Sequence, residues 1–386
     1  MEQQTREVQV TQKKRPLWKG QLWWKFVLTV VLTLLVSGGV WSLLLGTNGI
    51  ALMEGYLLAR FAFVETDADL DGATDQALDA LVDGLGDRWS YYRSEEDYKA
   101  LRERRANQYV GVGVTVNYEH EEGLYIQSVT EGGPAEEAGI LSGDIIVAVD
   151  GQSIAGDARY DGANLIAGEE GTTVELTLLG ADGSTRTVTC TRKTLPNPSA
   201  AGAMLEDNIG YVQLSNFYSG SAESFKQVVD DLVEQGAEGL VIDLRNNPGG
   251  YIAQLTDILD YLLPEGKVFR QDPRWWFELV TKSDESCVDL PFVTIVNADS
   301  YSAAEIMAAE LKEFCGSPIV GVQTSGKGYS QITFPLVNGG GMGLSVATYC
   351  TGEGKSLIGE GIIPDCVVEL SETEDDQLQA AIELLK

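Results

Sequence analysis

Residues 238–250 read Glu238-Gly-Leu-Val-Ile-Asp-Leu-Arg-Asn-Asn-Pro-Gly-Gly250. The near-continuous apolar run from Leu240 to Leu244, bounded by turn residues, is the mark of a strand buried on both faces. Asn-Asn-Pro-Gly-Gly then turns the chain sharply. Residues 253–263 repeat apolar positions at helical spacing. Pro291-Phe-Val-Thr-Ile-Val-Asn297 is a second buried strand, and residues 302–314 are its following helix. Strand, loop and helix in alternation predict parallel βαβ units, here an α/β core over residues 196–386. Reactive groups in such sheets lie in the loops beyond the carboxyl ends of the strands.

Upstream the pattern changes to short alternating strands: Val110-Gly-Val-Gly-Val-Thr-Val116, Leu124-Tyr-Ile-Gln-Ser-Val129, Asp144-Ile-Ile-Val-Ala-Val149, Val174-Glu-Leu-Thr-Leu-Leu179 and Thr185-Arg-Thr-Val-Thr-Cys190. The last two are joined by the hairpin signal Gly180-Ala-Asp-Gly183. Pro134-Ala-Glu-Glu-Ala-Gly139 and Gly162-Ala-Asn-Leu-Ile-Ala167 each suit a short helix. The run Gly133-Pro134-Ala135, Ala138-Gly139-Ile140, Gly143-Asp144 and Val149-Asp150-Gly151 resembles that of a PDZ domain, expected over 108–195. The resemblance implies that the loop Val110, Gly111, Val112, Gly113 and Val114 offers N–H groups to a peptide's terminal carboxylate, the peptide adding as a strand.

The net charge of −31 argues against nucleic acid as a partner, because phosphates require a basic footprint. Residues 1–25 run against that balance at net +4. Residues 26–45 follow without a charge, long enough for one transmembrane helix. The expectation is a cytoplasmic basic tail (1–25), a membrane anchor (26–46) and everything later outside the cytoplasmic membrane, extracellular or periplasmic. A cleaved signal peptide is the competing reading, although its cleavage site would be the weak Ser37-Gly38-Gly39. Residues 47–107 read mostly as a helical collar. Five scattered cysteines without a C-x-x-C pair predict no zinc cluster and leave open disulfides or buried thiols. His120, the sole histidine, stands between Glu119 and Glu121, so neither a Ser-His-Asp triad nor a metal site is expected.

A serine nucleophile without histidine needs another base, and a lysine serves when burial disfavours its ammonium. Asp299-Ser-Tyr-Ser302-Ala-Ala-Glu305-Ile306 places a serine where a strand gives way to a helix. Thr324-Ser-Gly-Lys327-Gly-Tyr-Ser-Gln331 supplies the lysine, with a glutamine able to accept from its amine. Together with residues 243–250, Ile358-Gly-Glu-Gly-Ile-Ile-Pro-Asp365 and Asp376-Gln-Leu-Gln-Ala-Ala381, these motifs resemble the carboxyl-terminal processing (tail-specific) proteases, from about residue 50 onward.

The resemblance implies a crotonase/Clp-protease-like core with an inserted PDZ domain. Ser302 matches the nucleophile, Lys327 the base and Gln331 the residue orienting it, with the N–H groups of Gly250 and Ala303 as oxyanion donors. It implies no cofactor, substrates with exposed C-termini, and a homodimer formed through helices in 75–107 and 371–386. Arg245 is read as a structural ion-pair partner. Relatives carry an arginine in the PDZ helix-to-loop turn where this chain has Ala167, which puts that form of regulation in question. The alternatives are a silent PDZ scaffold on a dead hydrolase core and a non-proteolytic crotonase-like enzyme. Intact Ser302, Lys327 and Gln331 weigh against the first, and the lack of an acyl-carrier pocket signal against the second.

Overall fold

The computed structural model describes residues 18–65, 67–274, 277–371 and 374–386. Most of the expected basic tail therefore lies outside the described residues. The chain divides into units of residues 1–77 and 78–386. In the first, helix α1 (Trp18–Ala62) continues past the expected end of the apolar span at 46, broken only at Gly46 (φ 62°, ψ −175°). Its part from Trp23 to Ala62 is long and apolar enough to cross a membrane, its most apolar 18-residue stretch having a mean hydropathy of 2.2. Helix α2 follows at Leu70–Asp83.

The segment expected to be mostly helical also contains strand β1 (Tyr91–Arg93), which pairs with a strand some 250 residues later. Helix α3 (Glu95–Ala106) starts where the Ser94 hydroxyl accepts from the Asp97 N–H and stops at Asn107, in the left-handed conformation (φ 55°). Strand β2 (Gln108–Gly111) comes next.

Strands β3 (Val114–Asn117), β4 (Leu124–Val129), β5 (Ile145–Val149), β6 (Gln152–Ser153), β7 (Thr173–Leu179) and β8 (Thr185–Thr191) form one sheet, order β3-β4-β5-β7-β8 with β6 on β5. Helices α4 (Pro134–Glu137) and α5 (Arg159–Ile166) close it over a core that includes Leu124, Ile126, Ile146, Leu176 and Leu178. Strand β3 is an edge. β9 (Lys193–Pro196) pairs with β2, not with this sheet. Beside Ala167, Arg192 fills the turn after α5, donating to Ile166 O at 2.7 Å and Leu165 O at 3.3 Å.

The remaining elements are β10 (Ala200–Met204), β11 (Ile209–Leu214), α6 (Ser221–Glu234), β12 (Gly239–Asp243), α7 (Ile252–Leu262), β13 (Gly266–Pro273), β14 (Leu279–Ser283), β15 (Phe292–Val296), α8 (Ala303–Cys315), β16 (Ile319–Gly321), β17 (Tyr329–Pro335), β18 (Gly341–Thr351), β19 (Cys366–Val367) and α9 (Asp376–Glu383). The central sheet runs β10-β11-β12-β15-β16-β19, parallel from β11 onward. Strand alternation sends Leu240 and Ile242 into the core built with α6, α7 and α8, and Val241, Val293 and Ile295 into a second core with Ala381 of α9. Burying each such side chain is worth about 1.5–3 kcal/mol, which is what commits both faces of the sheet to cover. A second sheet, β1-β18-β13-β14 with β17 on β18, stands beside it. The apolar side of α9 is thus spent on its own sheet. All five cysteines are free thiols.

Candidate active site

Ser302 ends the loop after β15, just before α8. Its backbone stands at φ 61°, ψ −119°, a region non-glycine residues enter at a cost of about 1–3 kcal/mol unless neighbours hold them there. Three contacts do so. The Ser302 N–H donates to Glu305 Oε2 at 2.9 Å, the Tyr301 N–H donates to Asn247 O at 3.1 Å, and buried Ser300 donates its hydroxyl to Leu244 O at 2.8 Å. The next N–H, that of Ala303, has no acceptor among the described residues and lies at the positive end of α8.

The loop after β12 packs onto this turn. Asn247, fully buried, donates to Leu214 O at 2.7 Å and accepts from the Gly249 N–H at 2.8 Å. Gly249 has φ 78°, and a Cβ there would sit 2.9 Å from Ala303 N, Ser302 Cβ and Tyr301 O alike. A Cβ on Gly250 would meet Phe217 O at 2.2 Å, so only glycine permits that approach. The Gly250 N–H is also without an acceptor among the described residues. Two unpaired N–H groups are therefore carried by the two backbone segments packed against each other at Ser302.

Lys327 arrives from a third loop, fastened by the same carboxylate that fastens Ser302. Glu305, 0% exposed, accepts from the Gly326 N–H at 2.8 Å, the Lys327 N–H at 3.0 Å and the Thr324 hydroxyl. Burial pushes the Glu305 pKa up, and these donors oppose the shift. Lys327 Nζ donates to Gln331 Oε1 at 2.7 Å and lies over the rings of Trp89 (5.1 Å) and Tyr301 (5.8 Å). A β-bulge between Ser330 and Gln331 accompanies the change of register there, and the Gln331 amide donates to Trp89 O. Burial, then the Arg105 charge, lowers the Lys327 pKa to about 8, against the opposing pull of Asp87 and Glu305. The Ser302 hydroxyl is not hydrogen-bonded to Lys327. Both side chains line one cavity of about 960 Å³, together with Gly250, Ala303, Gln331 and Tyr349.

Comparison with known proteins matches the sequence to a family. Residues 208–368 match the model for peptidase family S41, and residues 125–179 match a PDZ domain. The carboxy-terminal processing protease CtpA of Bacillus subtilis (strain 168) is 33% identical over 304 residues, 78% of this chain and 65% of that protein, so the chain spans just under two thirds of that relative. The carboxyl-terminal-processing protease of Synechocystis sp. (strain ATCC 27184 / PCC 6803 / Kazusa) is 32% identical over 348 residues, 86% of this chain and 81% of its own length. This chain belongs to the carboxyl-terminal processing proteases of family S41.

The solved structure of a photosystem II D1 C-terminal processing protease superposes on this S41 protease with a TM-score of 0.50 at 28% identity, over 88% of this chain and 92% of the other. Four features of the site in this S41 protease were not assigned a role from sequence. Glu305 carries a signal, since Ser302-x-x-Glu305 has the spacing of a capping box. Trp89, Arg105 and Tyr349 carry none, because they come from β18 and from segments some 200 residues before Ser302. Tyr349 is buried with its hydroxyl near the Ser302 side chain, yet in no hydrogen bond of good geometry.

The expected peptide-binding residues divide. Val110 and Gly111 are paired into β2 against Thr194 and Lys193, Val112 O accepts from the Ala135 N–H, Gly113 O accepts from the Thr130 N–H, and Val114 opens the edge strand β3. His120 stands apart, accepting from the Glu122 N–H in a surface turn. Among the described residues no three His, Cys, Asp or Glu side chains are grouped as metal ligands.

Proposed function

We propose that this S41 protease is a Ser-Lys endopeptidase in which Ser302 attacks, Lys327 is the base and Gln331 aims the lysine amine. The observation that carries the reading is the Glu305 carboxylate, which fixes the backbones of Ser302 and Lys327 to one another across a shared cavity. Neutral Lys327, turning from Gln331 toward Ser302, takes the hydroxyl proton as the oxygen bonds to the peptide carbonyl carbon. The oxyanion is received by the N–H groups of Gly250 and Ala303. Protonated lysine returns that proton to the leaving amine, and water then releases the acyl group by the same exchange in reverse.

The core is read as crotonase/Clp-protease-like over 196–386 with a PDZ domain over 108–195. That domain captures substrate C-termini along the open edge of β3, where a peptide strand finds unpaired backbone groups. The apolar part of α1 anchors the chain in the cytoplasmic membrane with the catalytic unit outside, and residues 47–107 serve as a collar. The same reading includes a homodimer formed through the helices in 75–107 and 371–386.

The test is cleavage of an unstructured protein with an apolar C-terminus by the full chain in detergent, beside Ser302→Ala and Lys327→Ala. Wild type should cut while both variants, folded by circular dichroism, stay inert. Cutting by either variant at the wild-type rate would remove that residue from the mechanism. Lost cleavage on blocking the substrate's C-terminus as an amide supports tail capture, and unchanged cleavage removes it.

A further inference from the structure

The cavity that holds Ser302 is basic in an acidic protein. Across the chain 58 acids outnumber 27 lysines and arginines. Yet the cavity is lined by Arg93, Arg102, Arg104, Arg105 and Lys327 against a single carboxylate, Asp97. None of the four arginines has an ion-pair partner among the described residues, although arginines elsewhere in the molecule do. Arg93 and Arg102 lie against the rings of Tyr91 (5.3 Å) and Tyr98 (5.2 Å), which leaves the edges of their guanidinium groups open. Arg105 Nε is buried with no hydrogen-bond partner, an expensive state for a charged donor.

A bland account exists for part of this. Arg104 and Arg105 occupy the last turn of α3, where cations suit the helix dipole. That account does not explain Arg93, which comes from β1, nor why the buried Nε of Arg105 lacks a partner. Nor does it explain the facing of Arg105 toward the reaction centre, close enough to depress the Lys327 pKa. A guanidinium whose Nε is buried without an acceptor is completed by a planar anion, and the anion that enters a peptidase cleft on its substrate is a carboxylate.

We propose that the active-site cleft selects peptide segments bearing a carboxylate near the scissile bond, with Arg105 receiving it and Arg93, Arg102 and Arg104 drawing it in. The proposal deepens the peptidase reading and rests on it for the identity of the substrate. A bound carboxylate would also quench the Arg105 charge beside Lys327, so substrate chemistry and base strength are linked through one side chain.

The experiment separates binding from turnover by using the full chain as Ser302→Ala. Fluorescent peptides of one neutral sequence are compared with the same sequence carrying two central glutamates, each as free acid and as C-terminal amide. The amide arm removes tail capture, so a glutamate advantage there reports the cleft. We expect the glutamate amide to bind about tenfold tighter than the neutral amide, as for one charge-assisted hydrogen-bonded pair. That advantage should shrink with added salt and vanish in Arg105→Gln while part survives in Arg105→Lys. An advantage confined to the free acids, and lost in Arg105→Gln, assigns the carboxylate to the substrate's own terminus and still places it at Arg105. No preference for either carboxylate, or a preference that Arg105→Gln leaves intact, overturns the proposal. With Ser302 restored, Arg105→Gln should also move the pH midpoint of neutral-peptide cleavage upward, because a cation facing the lysine has been removed. Because binding is read without cleavage, its outcome is independent of whether Ser302 is the nucleophile.

Discussion

A lysine is a base only when neutral, and the surroundings of Lys327 decide how much of that form exists. Burial and the facing Arg105 hold its pKa at about 8, below the ordinary 10.5. Protonated lysine therefore dominates below that pH, and kcat/KM should climb about tenfold per pH unit up to about 8 and then level off. Gln331→Glu should move that midpoint. A carboxylate in place of the Oε1 that Lys327 touches at 2.7 Å favours the ammonium, so the midpoint should move up by about one unit or more. A pH–rate profile of both proteins measures this, and a midpoint that does not move would mean that another group titrates.

At the scale of elements, the loop of residues 246–250 shows both what the sequence made legible and where legibility stops. Near-continuous apolar runs in β12 and β15, each followed by a turn and a helical period, were sufficient to place parallel strands with the loops that carry Gly250 and Ser302 at their ends. Ser302, Lys327, Gln331, Gly250 and Ala303 were singled out because each sits in a dense local motif that resembles the family's, and the fold brings all five to one cavity. Strand β1 could not, since three residues inside a helix-rich segment become a strand only by pairing with β18. The same holds for Trp89 and Tyr349, brought to the site by tertiary pairing that no local period encodes.

The geometry also converts a motif into a magnitude. Gly250→Ala would place a methyl 2.2 Å from Phe217 O, a contact that neither backbone can absorb in place. The loop must move, and the Gly250 N–H with it. In the oxyanion role proposed for it, losing one such donor costs about a hundredfold or more in kcat. The expected result is that loss with little change in KM, measured with a short peptide, whereas an effect confined to KM would detach Gly250 from the oxyanion role.

At the scale of the whole molecule, one arginine ties the loop of residues 246–250 to α9. Arg245 donates to Asp243 Oδ2 at 2.6 Å, to Asp375 Oδ2 at 2.8 Å and to Gln377 Oε1 at 3.2 Å, joining β12 to the start of α9 immediately before the loop that packs on Ser302. It is the structural ion-pair partner read from the sequence, and its reach to α9 explains why that helix can cover the second face of the central sheet. Asp243 is 0% exposed, and apart from Arg245 its carboxylate is met by the Tyr211 hydroxyl. Arg245→Ala strands a buried charge, and such losses cost about 3–5 kcal/mol. Arg245→Lys should cost less, since it keeps the charge but not the fork. The pH dependence carries its own sign. Hydrogen bonds from Arg245 hold the Asp375 pKa below its ordinary 3.8, so this stabilisation is present above that value and fades as pH falls through the lower, folded one. Urea unfolding of wild type and Arg245→Ala at several pH values should show the wild-type advantage narrowing on the acid side. Peptidase activity should fall with stability in the same variant, because the loop that follows Arg245 has lost its anchor. A variant that loses stability but keeps full activity would separate the ion-pair network from the loop it precedes.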